Sequence, residues 1–107
     1  MRRGDLVTVA MPGDFGKPRP ALVIQADQFD NTSTLTLALL SGTLVDAPLI
    51  RLTIAPTTAN GLRKTSQIMI DKIMTVKRER VGSVFGRVED DILLATNRLL
   101  ALFLGFA

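Results

Sequence analysis

The chain has 107 residues and contains neither cysteine nor histidine. Without cysteine it can form no disulfide and no thiolate metal site, which fits a reducing cytosol. Without histidine, any acid–base chemistry falls to Asp, Glu, Lys, Arg, a hydroxyl or water. These two absences remove whole classes of enzyme, and we expect no metal or other cofactor.

The sequence also lacks a long apolar run. Its longest, residues 99–107, is far short of the roughly 20 residues that a membrane span needs. The arginines near the amino terminus lead straight into an alternating segment, without the apolar core of a signal peptide. We therefore expect a cytoplasmic protein that does not enter a membrane. The net charge of +3 is a mild argument for an anionic partner.

Six short segments have the patterning of β-strands, and one has the period of an amphipathic helix. The predicted strands are residues 6–9, 21–25, 34–40, 49–54, 67–73 and 81–88, and the predicted helix is residues 91–104. Tight loops join them, and Gly82 and Gly86 predict a bulge in the last strand. We predict an α+β fold, mainly antiparallel β, in one domain spanning residues 1–107. It would be a small, strongly bent sheet or half-open barrel with the C-terminal helix on one side.

A loop rich in glycine and proline, residues 13–20, precedes the second predicted strand. Arg19 lies between Pro18 and Pro20, so its backbone is stiffened and its guanidinium is presented at a strand entrance. A five-donor fork beside such a loop suits an anion, above all phosphate. The alternative is an ordinary surface hairpin whose Arg and Lys are solvated.

Three other places carry candidate functional side chains. Ser41 and Thr43 flank Gly42 at the end of a strand, where functional hydroxyls are common. A second basic loop, residues 62–66, enters the following strand. That strand contains Asp71, a carboxylate in apolar surroundings, for which a salt bridge with Lys72 or a neighbouring arginine is the alternative explanation.

These features together resemble the MazF/PemK family of toxins from bacterial toxin–antitoxin pairs, which are mRNA-cleaving endoribonucleases on an SH3-like barrel. The resemblance covers nearly the whole chain. It is carried, in order, by Arg3-Gly4-Asp5, by Gly13 to Gly16 with Arg19-Pro20-Ala21-Leu22-Val23-Ile24, by Leu40-Ser41, and by Gly61-Leu62 before Ser66-Gln67-Ile68-Met69-Ile70-Asp71.

Taken position by position, the resemblance implies that Arg19, Ser41 and Asp71 are the catalytic residues, with Ser41 where the family usually has threonine. Two positions depart from the family pattern: the Glu-Gln pair of the first loop is missing, and Met69 stands where some members have arginine. The expected RNA-binding residues are Phe15, Lys17, Thr43, Arg63, Lys64 and Gln67.

The implied activity is metal-independent, sequence-preferring cleavage of single-stranded mRNA. Transesterification requires removing the proton of a ribose 2′-hydroxyl, stabilising a phosphorane and protonating the leaving 5′-oxygen. Arg19 would stabilise the phosphorane, Ser41 would orient a phosphate oxygen and Asp71 would be the base. The expected partners are mRNA, a second copy of the chain in a homodimer, and an antitoxin encoded with it.

The C-terminal residues 102–107 keep a second hypothesis open. They form an apolar–Gly–apolar ending similar to that of CcdB, a relative of the same fold that poisons DNA gyrase without catalysis. Arg19-Pro20 and the two basic loops favour the nuclease. An inactive relative or a plain binding module is the third alternative.

Overall fold

A computed structural model describes residues 1–13 and 17–107, which form one antiparallel sheet and one α-helix. The strands run in the order β4-β5-β3-β2-β1-β6, and the sheet is open, with β4 and β6 at its edges. This confirms the predicted α+β architecture, in the form of an open sheet. Its elements are β1 (Asp5–Ala10), β2 (Pro18–Val23), β3 (Thr34–Ser41), β4 (Arg51–Ile54), β5 (Ser66–Lys77), β6 (Val81–Arg87) and α1 (Asp90–Leu104), with 3-10 turns at Asp27–Phe29 and Arg78–Arg80.

Alternating side chains along the strands divide the buried core between the two faces of the sheet. In β1, Leu6 belongs to a cluster that packs against α1, whereas Val7 and Val9 belong to a second cluster on the opposite face. The central strands β2 and β3 contribute to both clusters, which explains why their sequences are apolar on both faces.

The sheet bends where strand β5 departs from regular pairing with β3. Ala38 pairs with Ile73, but Leu40 pairs with Ile68, so β5 holds extra residues between the two pairs. Such an irregularity bends and twists a strand. The first part of β5 also pairs with β4. Beyond Ile73, where the predicted strand ended, β5 continues to Lys77 because this part pairs with the start of β3.

Strand β2 begins at Pro18, although the two prolines predicted a loop that would last to Pro20. This part of the prediction was wrong. Pro18 and Pro20 pair with β1 alone, and the pairing of β2 with β3 starts only at Ala21. Proline has no backbone N–H, so a strand tolerates it where no neighbouring strand would accept a hydrogen bond from that position. Arg19 is therefore a strand residue, opposite Val9.

Helix α1 forms where it was predicted and packs on β4 and β5. Asp90 and Asp91 lie in its first turn, where acids interact favourably with the helix dipole. It ends at Gly105, whose φ of 87° allows the Phe106 N–H to donate to the Ala101 carbonyl at 2.7 Å. Within the described ranges, no helix is long and apolar enough to traverse a bilayer.

Candidate active site

Arg19 and Ser41 line the same cavity, which has a volume of about 450 Å³. The strand register brings them there. Ala21 pairs with Leu39 in antiparallel fashion, so one alternation further along, Arg19 and Ser41 share a face of the sheet. The complete lining is Arg19, Pro20, Leu40, Ser41, Gly42, Thr43, Lys64, Ser66 and Met69.

The hydroxyl of Ser41 is held by the turn that follows β3. Its Oγ accepts a hydrogen bond from the Thr43 N–H at 3.0 Å and lies 3.3 Å from the Thr43 carbonyl oxygen, to which it donates. Thr43 itself lines the cavity. The turn thus fixes the serine oxygen at the cavity wall, near the exposed guanidinium of Arg19.

Lys64 enters the cavity across Gly42. A Cβ atom at Gly42 would lie 2.4 Å from Cε and 2.5 Å from Nζ of Lys64, so a glycine there leaves the space that the lysine occupies. Lys64 adds a second positive charge to the cavity that Arg19 lines.

A second cavity, of about 550 Å³, adjoins the first. The two share Pro20, Lys64 and Ser66, and we call them together the basic groove. Phe85 contributes an apolar wall that the sequence analysis did not identify. The second cavity is lined by Thr8, Pro18, Pro20, Gly61, Leu62, Arg63, Lys64, Ser66 and Phe85.

Two predicted RNA-binding residues belong to the first loop. Lys17 is exposed and precedes Pro18, which lines the second cavity of the basic groove. Phe15 lies outside the described residues.

Asp71 does not line the basic groove. It follows Met69 by two residues in β5, but it lines a separate cavity of about 210 Å³ together with Leu39. Its Oδ1 is buried without a hydrogen-bond partner among the described residues, and its Oδ2 lies 3.9 Å from Nζ of Lys72. The structure therefore brings Arg19 and Ser41 together in one cavity and places Asp71 in another.

Gln67, predicted to contact RNA, is only 4% exposed and has a structural environment. Its Nε2 donates to the Val45 carbonyl and to Thr53 Oγ1, both at 3.0 Å, and its Oε1 accepts from the Val45 N–H at 3.0 Å. Its amide is thus occupied by Val45, in the segment after Ser41, and by Thr53 of β4. The basic groove does not include it.

Clustered metal ligands do not occur in residues 1–13 and 17–107: no three acidic side chains there are grouped so that they could hold an ion. The polar chemistry of the basic groove comes from guanidinium, ammonium and hydroxyl groups.

The antiparallel sheet with a C-terminal helix agrees with the fold that the resemblance implied. Residues 2–104 match the model of the family described as PemK-like, MazF-like toxin of type II toxin-antitoxin system. The chain belongs to this family.

Among individual proteins, the chain is 45% identical to the probable endoribonuclease MazF of Mycolicibacterium smegmatis, over 100% of this chain and 99% of that protein. A solved mycobacterial endoribonuclease in complex with its cognate antitoxin superposes with a TM-score of 0.83 at 20% identity, over 100% of this chain and 97% of that one. A MazE–MazF structure from Deinococcus radiodurans gives a TM-score of 0.79 at 19% identity, over 100% and 98%. These two structures establish the shared fold.

Proposed function

We propose that this chain is a toxin endoribonuclease that cleaves single-stranded RNA and is neutralised by a protein antitoxin. The observation that carries the proposal is the shared cavity of Arg19 and Ser41, which joins a groove containing Lys64 and Arg63. Membership of the toxin family and 45% identity to a probable endoribonuclease support it. The same evidence favours a nuclease over a non-catalytic gyrase poison.

Cleavage begins when the 2′-hydroxyl oxygen loses its proton and attacks the adjacent phosphorus. The pentacoordinate phosphorane then expels the 5′-oxygen, which takes up a proton from solvent water, leaving a 2′,3′-cyclic phosphate and a free 5′-hydroxyl. Arg19 supplies positive charge where the phosphorane develops negative charge. The Ser41 hydroxyl orients a phosphate oxygen by hydrogen bonding.

Asp71 is the proposed acceptor of the 2′-hydroxyl proton. The side chain is 24% exposed, and since its Oδ1 is buried, Oδ2 is the oxygen proposed to accept the proton. A nucleotide that extends from the Arg19–Ser41 cavity past Met69 would carry its ribose toward this carboxylate. Since the base, the cation and the orienting hydroxyl all come from the chain, we propose cleavage without a metal ion.

The basic groove would hold the RNA on either side of the scissile bond. Lys17, Arg63 and Lys64 contact backbone phosphates, and Thr43 contributes a hydroxyl. Phe85, and Phe15 in the first loop, are suited to stacking on unpaired bases, which single-stranded RNA exposes.

The apolar carboxyl terminus supports association with other chains. Leu102, Phe103 and Leu104 are exposed on the last turn of α1, and Phe106 is 82% exposed. Such a patch is typical of an interface. We propose a homodimer, acting in the cytoplasm on mRNA. Sedimentation at micromolar concentration tests this, and a monomer there would contradict it.

The activity is tested by incubating the purified chain with a long single-stranded RNA in EDTA. We expect cleavage, and about 100-fold to 1000-fold slower cleavage by Arg19→Ala, the scale of losing one charge-stabilising donor. Arg98→Ala, on the exposed side of α1, is the matched control. Intact RNA with blocked gyrase supercoiling would support the gyrase poison instead. Cleavage that EDTA abolishes would overturn the metal-free mechanism.

A further inference from the structure

Arg51 lies in strand β4 directly opposite Met69 of β5. Side chains of directly opposed residues in an antiparallel pair project from the same face, with Cβ atoms about 5 Å apart. Met69 lines the cavity of Arg19 and Ser41. Arg51 therefore stands beside that cavity, across Met69 from the two proposed catalytic groups, although no sequence motif pointed to it.

The guanidinium of Arg51 is partly buried and has no partner within the described part of the chain. Its Nε is fully buried there without a hydrogen bond, and the side chain takes part in no ion pair or other hydrogen bond. The two terminal nitrogens are not among the buried unpaired atoms, so they reach the surface. Buried polar groups are nearly always satisfied, whereas the buried Nε of Arg51 has no partner and the guanidinium has no counter-charge among the described residues. An anion from outside the chain would supply what Arg51 lacks.

Asp71, the nearest acid in strand β5, does not form an ion pair with Arg51. Asp71 follows Met69 by two residues, beyond the last pair that β4 and β5 form, which is Arg51 with Met69. Its carboxylate is close only to Lys72 among the described cations, and its Oδ1 is itself unpaired. Two opposite charges thus flank Met69 without forming an ion pair.

We propose that Arg51 binds a phosphate of the RNA next to the scissile one, as a second guanidinium alongside Arg19. This inference rests on the proposed function and specifies which residues hold the substrate. An RNA strand running from Arg19 across Met69 meets Arg51 next, so Arg51 would add binding energy at the neighbouring phosphate without contacting the reacting groups. Arg51 is a substrate-binding residue in this account, and it takes no part in proton transfer.

The test is single-turnover cleavage of a single-stranded RNA, measured against protein concentration at several potassium chloride concentrations. For Arg51→Gln we expect a half-saturating concentration about tenfold higher, as for a lost charge-assisted hydrogen bond. The saturating rate should stay within about threefold, since binding energy and not chemistry is removed. The slope of log affinity against log salt should fall by about 0.7, the value for one phosphate contact on a single strand.

Three comparisons make the result decisive. Arg51→Lys keeps the charge and should keep the salt slope, and Arg98→Gln removes an exposed charge outside the groove and should match wild type. Arg51→Met keeps the apolar stem but removes the unpaired donor, so its melting temperature should equal or exceed that of wild type while its affinity falls. If Arg51 had only a structural role, Arg51→Met would lower the melting temperature and leave the affinity for RNA unchanged.

An unchanged half-saturating concentration and salt slope for Arg51→Gln, with wild-type protein active, would overturn this inference alone. A loss of saturating rate without a change in affinity would also overturn it. Wild-type protein that leaves the RNA intact would overturn the proposed function, and the role of Arg51 with it.

Discussion

Asp5 and Arg87 form an ion pair across strands β1 and β6, with Oδ1 and Nη1 3.1 Å apart and side chains 12% and 35% exposed. The same Nη1 donates to the Arg3 carbonyl at 2.9 Å, and Asp5 Oδ2 accepts from the Arg2 N–H at 2.8 Å. The pair therefore closes the amino-terminal turn onto the last strand. Asp5 of the Arg-Gly-Asp motif has a structural role.

Asp5→Ala should accordingly destabilise the protein without slowing cleavage at saturation. It removes the carboxylate that accepts from the Arg2 N–H and from Arg87 Nη1, and it leaves Arg87 with the Arg3 carbonyl as its partner, at a cost of about 2 kcal/mol. Urea unfolding measures the change, and Asp46→Ala, at an exposed position, is the control, expected within about 0.5 kcal/mol of wild type. Equal stability of the two variants would contradict the structural role of Asp5.

The two glycines of β6 should respond differently to alanine. A Cβ at Gly86 would lie 2.1 Å from the Asn60 carbonyl oxygen, a backbone atom, whereas one at Gly82 would lie 2.4 Å from the side-chain Oγ1 of Thr8. Gly86→Ala must move backbone and should cost about 3 kcal/mol, more than Gly82→Ala. Thr8→Ala should rescue Gly82→Ala and leave Gly86→Ala unchanged. A similar cost for both single variants, or no rescue, would contradict this distinction.

The amide of Gln67 should control the order of the segment that follows Ser41. Gln67→Leu removes three hydrogen bonds around Val45 and Thr53 and leaves the partly buried N–H and carbonyl of Val45 without this partner, for a cost of about 2 kcal/mol. Hydrogen exchange at the Val45 amide should accelerate, while Gln28→Leu, at an exposed position, should not affect it. Unchanged exchange would mean that another contact holds the segment.

Local patterning was sufficient for most of the fold. The alternation of Leu6, Val7 and Val9, and the glycine at the end of α1, predicted elements that the structure contains within a few residues. The start of β2 at Pro18 was missed because it depends on tertiary pairing: Pro18 and Pro20 pair with β1, while β3 pairs with β2 only from Ala21. The continuation of β5 to Lys77 was missed because it depends on pairing with a distant strand.

The residues of the candidate site that lie at strand ends could be predicted from the sequence. Those whose position depends on the register between distant strands could not. Arg19 and Ser41 lie at the ends of neighbouring strands, so the topology alone brings them together. Asp71 lies in the stretch where the β3–β5 register is interrupted, and no local pattern reveals that interruption. Arg51 became a candidate only through its pairing with Met69. The sequence alone suggests that Gln67 is an exposed polar residue. In the structure it is buried and hydrogen-bonds to Val45, in the segment that follows Ser41.

The contact of Gly42 with Lys64 gives a test of the basic groove that leaves the proposed catalytic groups intact. Gly42→Ala places a Cβ where Cε and Nζ of Lys64 now lie, and the flexible lysine can move away at little cost in stability. We expect unfolding stability within about 1 kcal/mol of wild type and RNA affinity lowered about as much as by Lys64→Ala, since both remove the ammonium from the cavity.

The double variant decides the cause, because two changes acting through one contact are not additive. Gly42→Ala in the Lys64→Ala background should weaken binding no further, as measured by half-saturating protein concentration in RNA cleavage. If the losses of affinity from the two substitutions multiply instead, Gly42 acts through the turn that holds the Ser41 hydroxyl. The saturating rate should then fall as well, since this hydroxyl is proposed to orient the reacting phosphate. If the losses of affinity multiply while the saturating rate is unaltered, neither Lys64 nor the Ser41 turn explains the effect of Gly42→Ala. Gly42 would then contact the RNA backbone directly.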